Sequence, residues 1–151
     1  MNHVNKPTGD IMMKKTPAEL YLDLMKKTLA FSLWPEPPIP LSFYYDRMNP
    51  IIRFFFKVLE QVLDQKSLML VCKITYTPEQ RTQGTISYPG YADTMIGIKR
   101  LDNIQSCIET AIREGIEGDL IETGVWRGGA CIFMRAVLKA YGVDNRKVYV
   151  A

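Results

Sequence analysis

The residues best suited to chemistry are Glu122 and the glycines that follow it. Leu120-Ile121-Glu122-Thr123 is a short apolar run ending at a carboxylate, Gly124, Gly128 and Gly129 come next, and an apolar segment starts at Cys131. Glycine lets the backbone approach a ligand that Cβ atoms would repel, and a helix beginning beyond it offers free amides and positive partial charge to an anion. A carboxylate beside them accepts a bond from an ammonium group. A ligand bearing both charges, such as the amino-acid end of S-adenosylmethionine, suits this arrangement better than a pyrophosphate. The spacing Gly124-Val125-Trp126-Arg127-Gly128-Gly129 also misses GxGxxG, which makes a nicotinamide or flavin dinucleotide the weaker reading. The same glycines suit a plain strand-to-helix turn, and spacing alone leaves both readings open.

Those residues need elements to position them. Leu120 to Thr123 suits a buried strand, Cys131 to Tyr141 closed by Gly142 suits a buried helix, and Val148 to Ala151 begins a second strand. Strand, glycine turn, helix and strand make a βαβ unit at the start of a parallel α/β sheet. Upstream, Leu101, Ile104, Ile108, Ala111 and Ile112 recur at helical spacing, Glu109 and Arg113 form an i,i+4 pair, and Gly115 stands at a C-terminal cap. Asp102 and Asp119 read as cap or turn residues.

The N-terminal half is helical in pattern. Thr16-Pro17-Ala18-Glu19 predicts a helix start, and Leu20, Leu24, Thr28 and Phe31, with Tyr21, Met25 and Leu29 beside them, predict its apolar face. Pro35, Pro37, Pro38 and Pro40 predict an extended linker. Asn49-Pro50 opens a second amphipathic helix with Ile51, Phe55, Val58, Leu59 and Val62 near one face. Leu68 to Tyr76 either extends it or forms a short strand, and Gln80 to Gly90 reads as a loop.

At 151 residues the chain has one domain's worth of sequence. Its 19 Lys and Arg against 16 Asp and Glu leave +3, too little and too dispersed for a nucleic-acid footprint. Cys72, Cys107 and Cys131 show no CxxC spacing, and His3 stands alone in the tail, which argues against a disulfide framework or a zinc site and for a reducing compartment. The first ten residues hold no apolar secretory core, and no stretch reaches the ~20 apolar residues that span a bilayer. The expectation is a cytoplasmic soluble protein, with Ile51 to Cys72 more suited to packing as a lid or against a neighbouring subunit than to a membrane surface.

The segment from Asp93 through TMIGIKRLDNIQSCIETAIREGIEGDLIETGVWRGGACIFMRAVLKAYGVDNRKVYVA resembles the macrocin O-methyltransferase family, as does TPAELYLDLMKKTL near the N-terminus. The stretch from Trp34 to Gly90 is less like the macrolide-tailoring members. The resemblance implies an α/β, Rossmann-like class I methyltransferase fold that uses S-adenosylmethionine and Mg2+ to methylate a small-molecule acceptor, a sugar hydroxyl. Residues 1–15 would then be a tail, 16–92 a helical lid, and 93–151 the start of the cofactor domain with its sheet incomplete. Carried over by motif, Glu122, Thr123, Gly124, Val125, Trp126, Arg127, Gly128, Gly129 and Ala130 would form the cofactor loop. Thr94 and Met95 of the ADTMIG motif would line the cofactor or acceptor pocket. Many relatives have His where this chain has Asp93. From residue type alone, Met95 also suits core packing, Arg127 a surface cation and Trp126 a packing aromatic.

Methyl transfer to a hydroxyl needs a base, a metal, or both, and Mg2+ needs several oxygen ligands. Asp93, Asp102, Asp119 and Glu122 are scattered, so no catalytic residue and no metal ligand is expected within these residues. A sheet of about seven strands would need roughly 100 further residues at ~30 per βα unit. The chain therefore reads as the N-terminal portion of such an enzyme, expected to be inactive alone. The alternative is a non-catalytic fragment acting through association with another chain, a homo-oligomer included, or with a membrane surface.

Overall fold

Thr16 opens the first helix through a reciprocal cap. In this computed structural model, which describes residues 14–73, 75–86 and 90–151, Thr16 Oγ1 accepts the Glu19 N–H at 3.2 Å and Glu19 Oε2 accepts the Thr16 N–H at 2.7 Å. The tail to residue 13, with His3, and Pro89 of the expected loop lie outside the described residues. Helix α1 runs Pro17–Leu29. Its buried face differs from the predicted one: Leu22 and Leu29 are buried with Met25 packed beside them, whereas Leu20 and Leu24 are more than half exposed. Lys26 is the reason. Its Nζ lies 5.7 Å from the Phe133 ring centre and 2.5 Å from Asp102 Oδ1, so its stem belongs to the inward stripe that a polar assignment places outside. Asp102 is thus an ion-pair partner within a helix rather than a cap.

The proline-rich segment holds more structure than a linker. Strand β1, Ile39–Pro40, pairs antiparallel with β2, Val71–Cys72, and the Leu41 N–H donates to the Leu70 carbonyl at 3.0 Å. Proline is tolerated there because an edge strand leaves donors unpaired anyway. A 3-10 helix, Leu41–Arg47, follows. The alternative for Leu68 to Tyr76 thus resolves as a short strand. Helix α2, Pro50–Asp64, is capped by Asn49 Oδ1, which accepts the Ile51 N–H at 2.9 Å, and none of its residues is buried. Ile51, Phe55, Val58 and Val62 face outward.

The expected loop from Gln80 begins as a helix instead. Helix α3, Pro78–Gln83, is closed by a second reciprocal cap between Thr77 and Gln80 and ended by Gly84 at φ 70°. The signal was present in the sequence: Thr77-Pro78-Glu79-Gln80 repeats the pattern of Thr16 to Glu19. Helix α4, Gly97–Arg113, buries Leu101 and Ile108 as its spacing predicts. The expected Glu109–Arg113 pair does not form, because Glu109 Oε1 accepts from Gln105 Nε2 and from the Tyr141 hydroxyl while Arg113 reaches Thr110 and Glu114.

Strand β3, Leu120–Glu122, runs parallel to β4, Val148–Val150, and α5, Gly129–Ala140, connects them. The core lies where α1 and α4 meet α5, around Leu22, Leu29, Leu101, Ile108, Phe133, Val137 and Leu138. Leu120 and Val148 pack against that core, but Ile121 is 59% exposed and Tyr149 49%. The predicted buried strand is therefore covered on one face only. Among the described residues the result is α/β with two small, incomplete sheets, and no helix of them is long and apolar enough to cross a membrane.

Candidate functional site

The site grows from the carboxyl end of β3. The Ala151 N–H donates to the Glu122 carbonyl and the Gly124 N–H to the Ala151 carbonyl, both at 3.0 Å, so parallel pairing holds the chain up to the glycine turn. Gly124 and Gly128 both have φ 79°, a left-handed backbone that side chains rarely adopt, and a Cβ at either would meet no heavy atom within 4 Å. The loop therefore has glycine's backbone hand and open space above it. Gly128 is also the N-cap of α5 and brings no side chain to cap the first turn.

Gly129 has the opposite surroundings. Its N–H donates to the Asp93 carbonyl at 3.1 Å, and a Cβ there would fall 2.7 Å from the Asp93 carbonyl carbon and 2.8 Å from Thr94 Cβ. The Asp93 N–H in turn donates to the Leu29 carbonyl at 2.9 Å, so the end of α1, the Asp93-Thr94 segment and the start of α5 are one bonded stack. Thr94 is buried, with Oγ1 3.4 Å from the Ile96 N–H it accepts, and Met95 beside it is 40% exposed.

Arg127 acts as a strap. Its Nη1 donates to the Gly90 carbonyl at 2.9 Å and the Ala92 carbonyl at 3.0 Å, and its guanidinium stacks 4.2 Å from the Trp126 ring centre. It is neither a free surface cation nor separable from Trp126. Thr123 and Gly124 are exposed, Val125 is half-buried and Ala130 is buried, and the contacts of Gly129 set the end of this loop against Asp93 and Thr94.

Glu122 has a partner that sequence reading did not find. Its Oε2 accepts the Cys131 S–H at 2.8 Å. Burial first, and the Glu122 carboxylate second, push the Cys131 thiol from its ordinary value of 9 up to about 11. The neutral thiol is the favoured form in the fold, so the stabilisation it brings is complete below pH 9 and is lost as pH rises towards 11. At pH 8 iodoacetamide is therefore expected to label the exposed Cys107 well before Cys131, read by mass spectrometry of the alkylated peptides.

The macrocin O-methyltransferase (TylF) profile matches residues 18–151. The chain belongs to this family. Mycinamicin III 3''-O-methyltransferase of Micromonospora griseorubida is 41% identical over 140 residues, covering 93% of this chain and 44% of the relative. An 8-demethyl-8-(2,3-dimethoxy-alpha-L-rhamnosyl)-tetracenomycin-C 4'-O-methyltransferase of Streptomyces olivaceus is 41% identical over 139 residues, 92% of this chain and 42% of its own. The solved structure of the O-methyltransferase NovP superposes with a TM-score of 0.62 at 39% identity, over 88% of this chain and 41% of that one. The chain thus spans less than half the length of these relatives.

Among the described residues no three of His, Cys, Asp and Glu converge to hold a metal. Asp102 is paired with Lys26, and Asp119 Oδ1 accepts the Lys147 N–H at 2.8 Å, closing the turn before β3 onto the residue before β4. A second feature missed in the sequence lies next to the site. Arg81 of α3 is buried against the Glu36 carboxylate, donates to the Ala30 carbonyl at the end of α1, and places its guanidinium 5.6 Å from the Phe31 ring and 5.7 Å from Tyr76. Burial pulls its pKa below the ordinary arginine value. No spacing rule links Glu36 to Arg81; only the fold brings them together.

Proposed function

We propose that the turn between β3 and α5 is the S-adenosylmethionine loop of an O-methyltransferase acting on a sugar hydroxyl of a natural product. One observation carries this within the family: a carboxylate ends the strand, left-handed glycines with open space follow, and an uncapped helix start comes after them. In this reading β3, α5 and β4 are the first crossover of a Rossmann-like sheet, residues 16–92 form its lid, and the enzyme works in the reducing cytoplasm. The name of the Streptomyces olivaceus relative gives a rhamnosyl-bearing tetracenomycin as what it methylates, which supports the acceptor class.

Bound there, S-adenosylmethionine supplies a sulfonium methyl for in-line displacement by the acceptor oxygen. Glu122 would accept from the cofactor's ammonium group. The first-turn amides of α5 beyond Gly129 would face its carboxylate, and the missing Cβ atoms at Gly124 and Gly128 leave room for that approach. Thr94 and Met95 would wall the side nearest the acceptor. The acceptor proton must leave as the new bond forms. Magnesium needs several oxygen ligands that these residues do not assemble, so no step is assigned to it.

Calorimetric titration of the chain with S-adenosylmethionine tests the reading. Saturable binding is expected, weakened about tenfold or more by Glu122→Gln, since a hydrogen bond to a charged group contributes ~1.5–3 kcal/mol. Absence of binding overturns the proposal. This reading assigns none of the loop residues as the base that takes the acceptor proton, so the chain alone is expected to bind without turnover, and methylation of a sugar hydroxyl by the purified 151 residues would refute that part.

A further inference from the structure

Helix α2 turns its apolar side to solvent. Ile51, Phe55, Val58 and Val62 recur at intervals of four, three and four residues, which sets them on one stripe with Phe54 beside it and Ile52 at its edge. Ile51 is 80% exposed, Phe54 70% and Phe55 63%, and the other three are about half exposed. The polar side is the one turned towards the body of the protein. Lys57 Nζ lies 6.0 Å from the ring centre of the buried Tyr45, and Arg53 and Glu60 are half-buried. At ~150–200 Å2 for each fully exposed side chain, the six present about 500–700 Å2 of apolar surface on one helix. The largest apolar patch of an ordinary monomer is ~300–600 Å2, whereas each partner of a stable dimer contributes ~800 Å2.

The stripe is complementary to itself. Its spacing reads the same in both directions, so a second copy lying antiparallel sets Ile51 opposite Val62 and Phe55 opposite Val58. The larger side chains occupy the first half of the helix and the smaller ones the second, so every such pair places large against small and the two layers interdigitate. Charge follows the same polarity. Arg53 and Lys57 lie in the first half and Glu60 and Asp64 in the second, an order that opposes the helix's own dipole. An antiparallel neighbour brings unlike halves together and relieves that opposition. The four charges of the helix cancel, so it offers no net attraction to an anionic membrane surface, which draws on an excess of Lys and Arg.

We propose that α2 is the contact of a symmetric homodimer, in which the stripes of two copies pack antiparallel across a two-fold axis close to Phe55 and Val58. Such a contact is self-limiting, because each copy's stripe is covered by its partner and none is left to recruit a third chain. The polar side keeps its place against Tyr45 while the apolar side leaves water. No residue of the glycine loop belongs to this contact, so it stands independently of the cofactor reading.

Sedimentation equilibrium of the full chain is expected to show a dimer that dissociates on dilution. Phe54→Glu and Val58→Glu, at exposed positions outside the core, each place a carboxylate in the apolar contact and are expected to weaken self-association about tenfold or more with an unchanged circular dichroism spectrum. Leu20→Glu, at an exposed position of α1, is expected to leave it unaltered. Disulfide cross-linking in a chain carrying Cys72→Ser and Cys107→Ser reads the orientation: Ile51→Cys and Val62→Cys copies are expected to bridge to one another when mixed, and neither to itself. A chain that stays monomeric at millimolar concentration, a dimer that survives both α2 variants, or Ile51→Cys copies that bridge to themselves overturns the proposal. Sedimentation of a monomeric chain with phosphatidylserine vesicles, lost in the same two variants, overturns it in favour of a membrane surface.

Discussion

Replacing Gly129 with alanine is expected to cost about 1–3 kcal/mol of stability and to abolish S-adenosylmethionine binding, the largest functional loss from a single methyl group in this chain. The added Cβ has nowhere to go, since the Asp93 carbonyl and Thr94 Cβ stand within 2.8 Å and belong to backbone and a buried side chain. Relief requires the start of α5 to lift from the Asp93-Thr94 segment, which breaks the 3.1 Å bond from the Gly129 N–H. In a domain of this size that corresponds to a melting temperature lowered by roughly 2–12 °C. Gly128→Ala provides the contrast. Space is open there, so the cost is the left-handed backbone alone, ~1–2 kcal/mol, yet the methyl group projects into the space proposed for the ligand. Thermal melts and calorimetry on both variants separate the two effects. Equal stability of Gly129→Ala and the unaltered chain would refute the close packing on which the site is built.

Glu36→Ala should destabilise the fold by about 3–5 kcal/mol, because it leaves the Arg81 guanidinium buried without its counter-charge. The two side chains are only 8% and 4% exposed, and the aromatic faces of Phe31 and Tyr76 do not replace a carboxylate. The paired replacement Glu36→Leu with Arg81→Met is expected to recover most of that loss, since well-packed apolar groups of similar volume often match a buried ion pair. Chemical denaturation of the single and paired variants measures the difference. A single variant within 0.5 kcal/mol of the unaltered chain, a limit set by about the ±0.5 kcal/mol scatter of ordinary surface substitutions, would show the pair to be solvated after all.

The parts of the molecule legible in its sequence are those governed by local rules. Thr16 and Glu19 sit three residues apart, so their reciprocal cap can be read directly, and Gly124 and Gly128 take a left-handed backbone that glycine favours, whereas the need for glycine at 129 comes from Asp93 and Thr94 far back in the chain. The order of β3, glycine turn, α5 and β4 followed from the same local reading. What failed depended on partners far along the chain. The inward face of α1 was misassigned because Lys26 looks polar until Phe133 and Asp102 arrive beneath it. Glu109 chose Tyr141 over Arg113 for the same reason. The Pro40 strand needed Val71, and Arg81 needed Glu36. Helix α3 is different: its cap was written in Thr77 and Gln80, and the turn residues around Gly84 obscured it.

The packing of α1 on α5 also sets the order of events during synthesis. Leu22 and Leu29 leave the ribosome early, while Phe133, Val137 and Leu138, which cover them, are made more than a hundred residues later. At ~5–20 residues per second the first helix waits for roughly 5–20 s with its inward leucines uncovered. For that interval the nascent chain displays an uncovered apolar stripe, which the emergence of α4 and then α5 closes over.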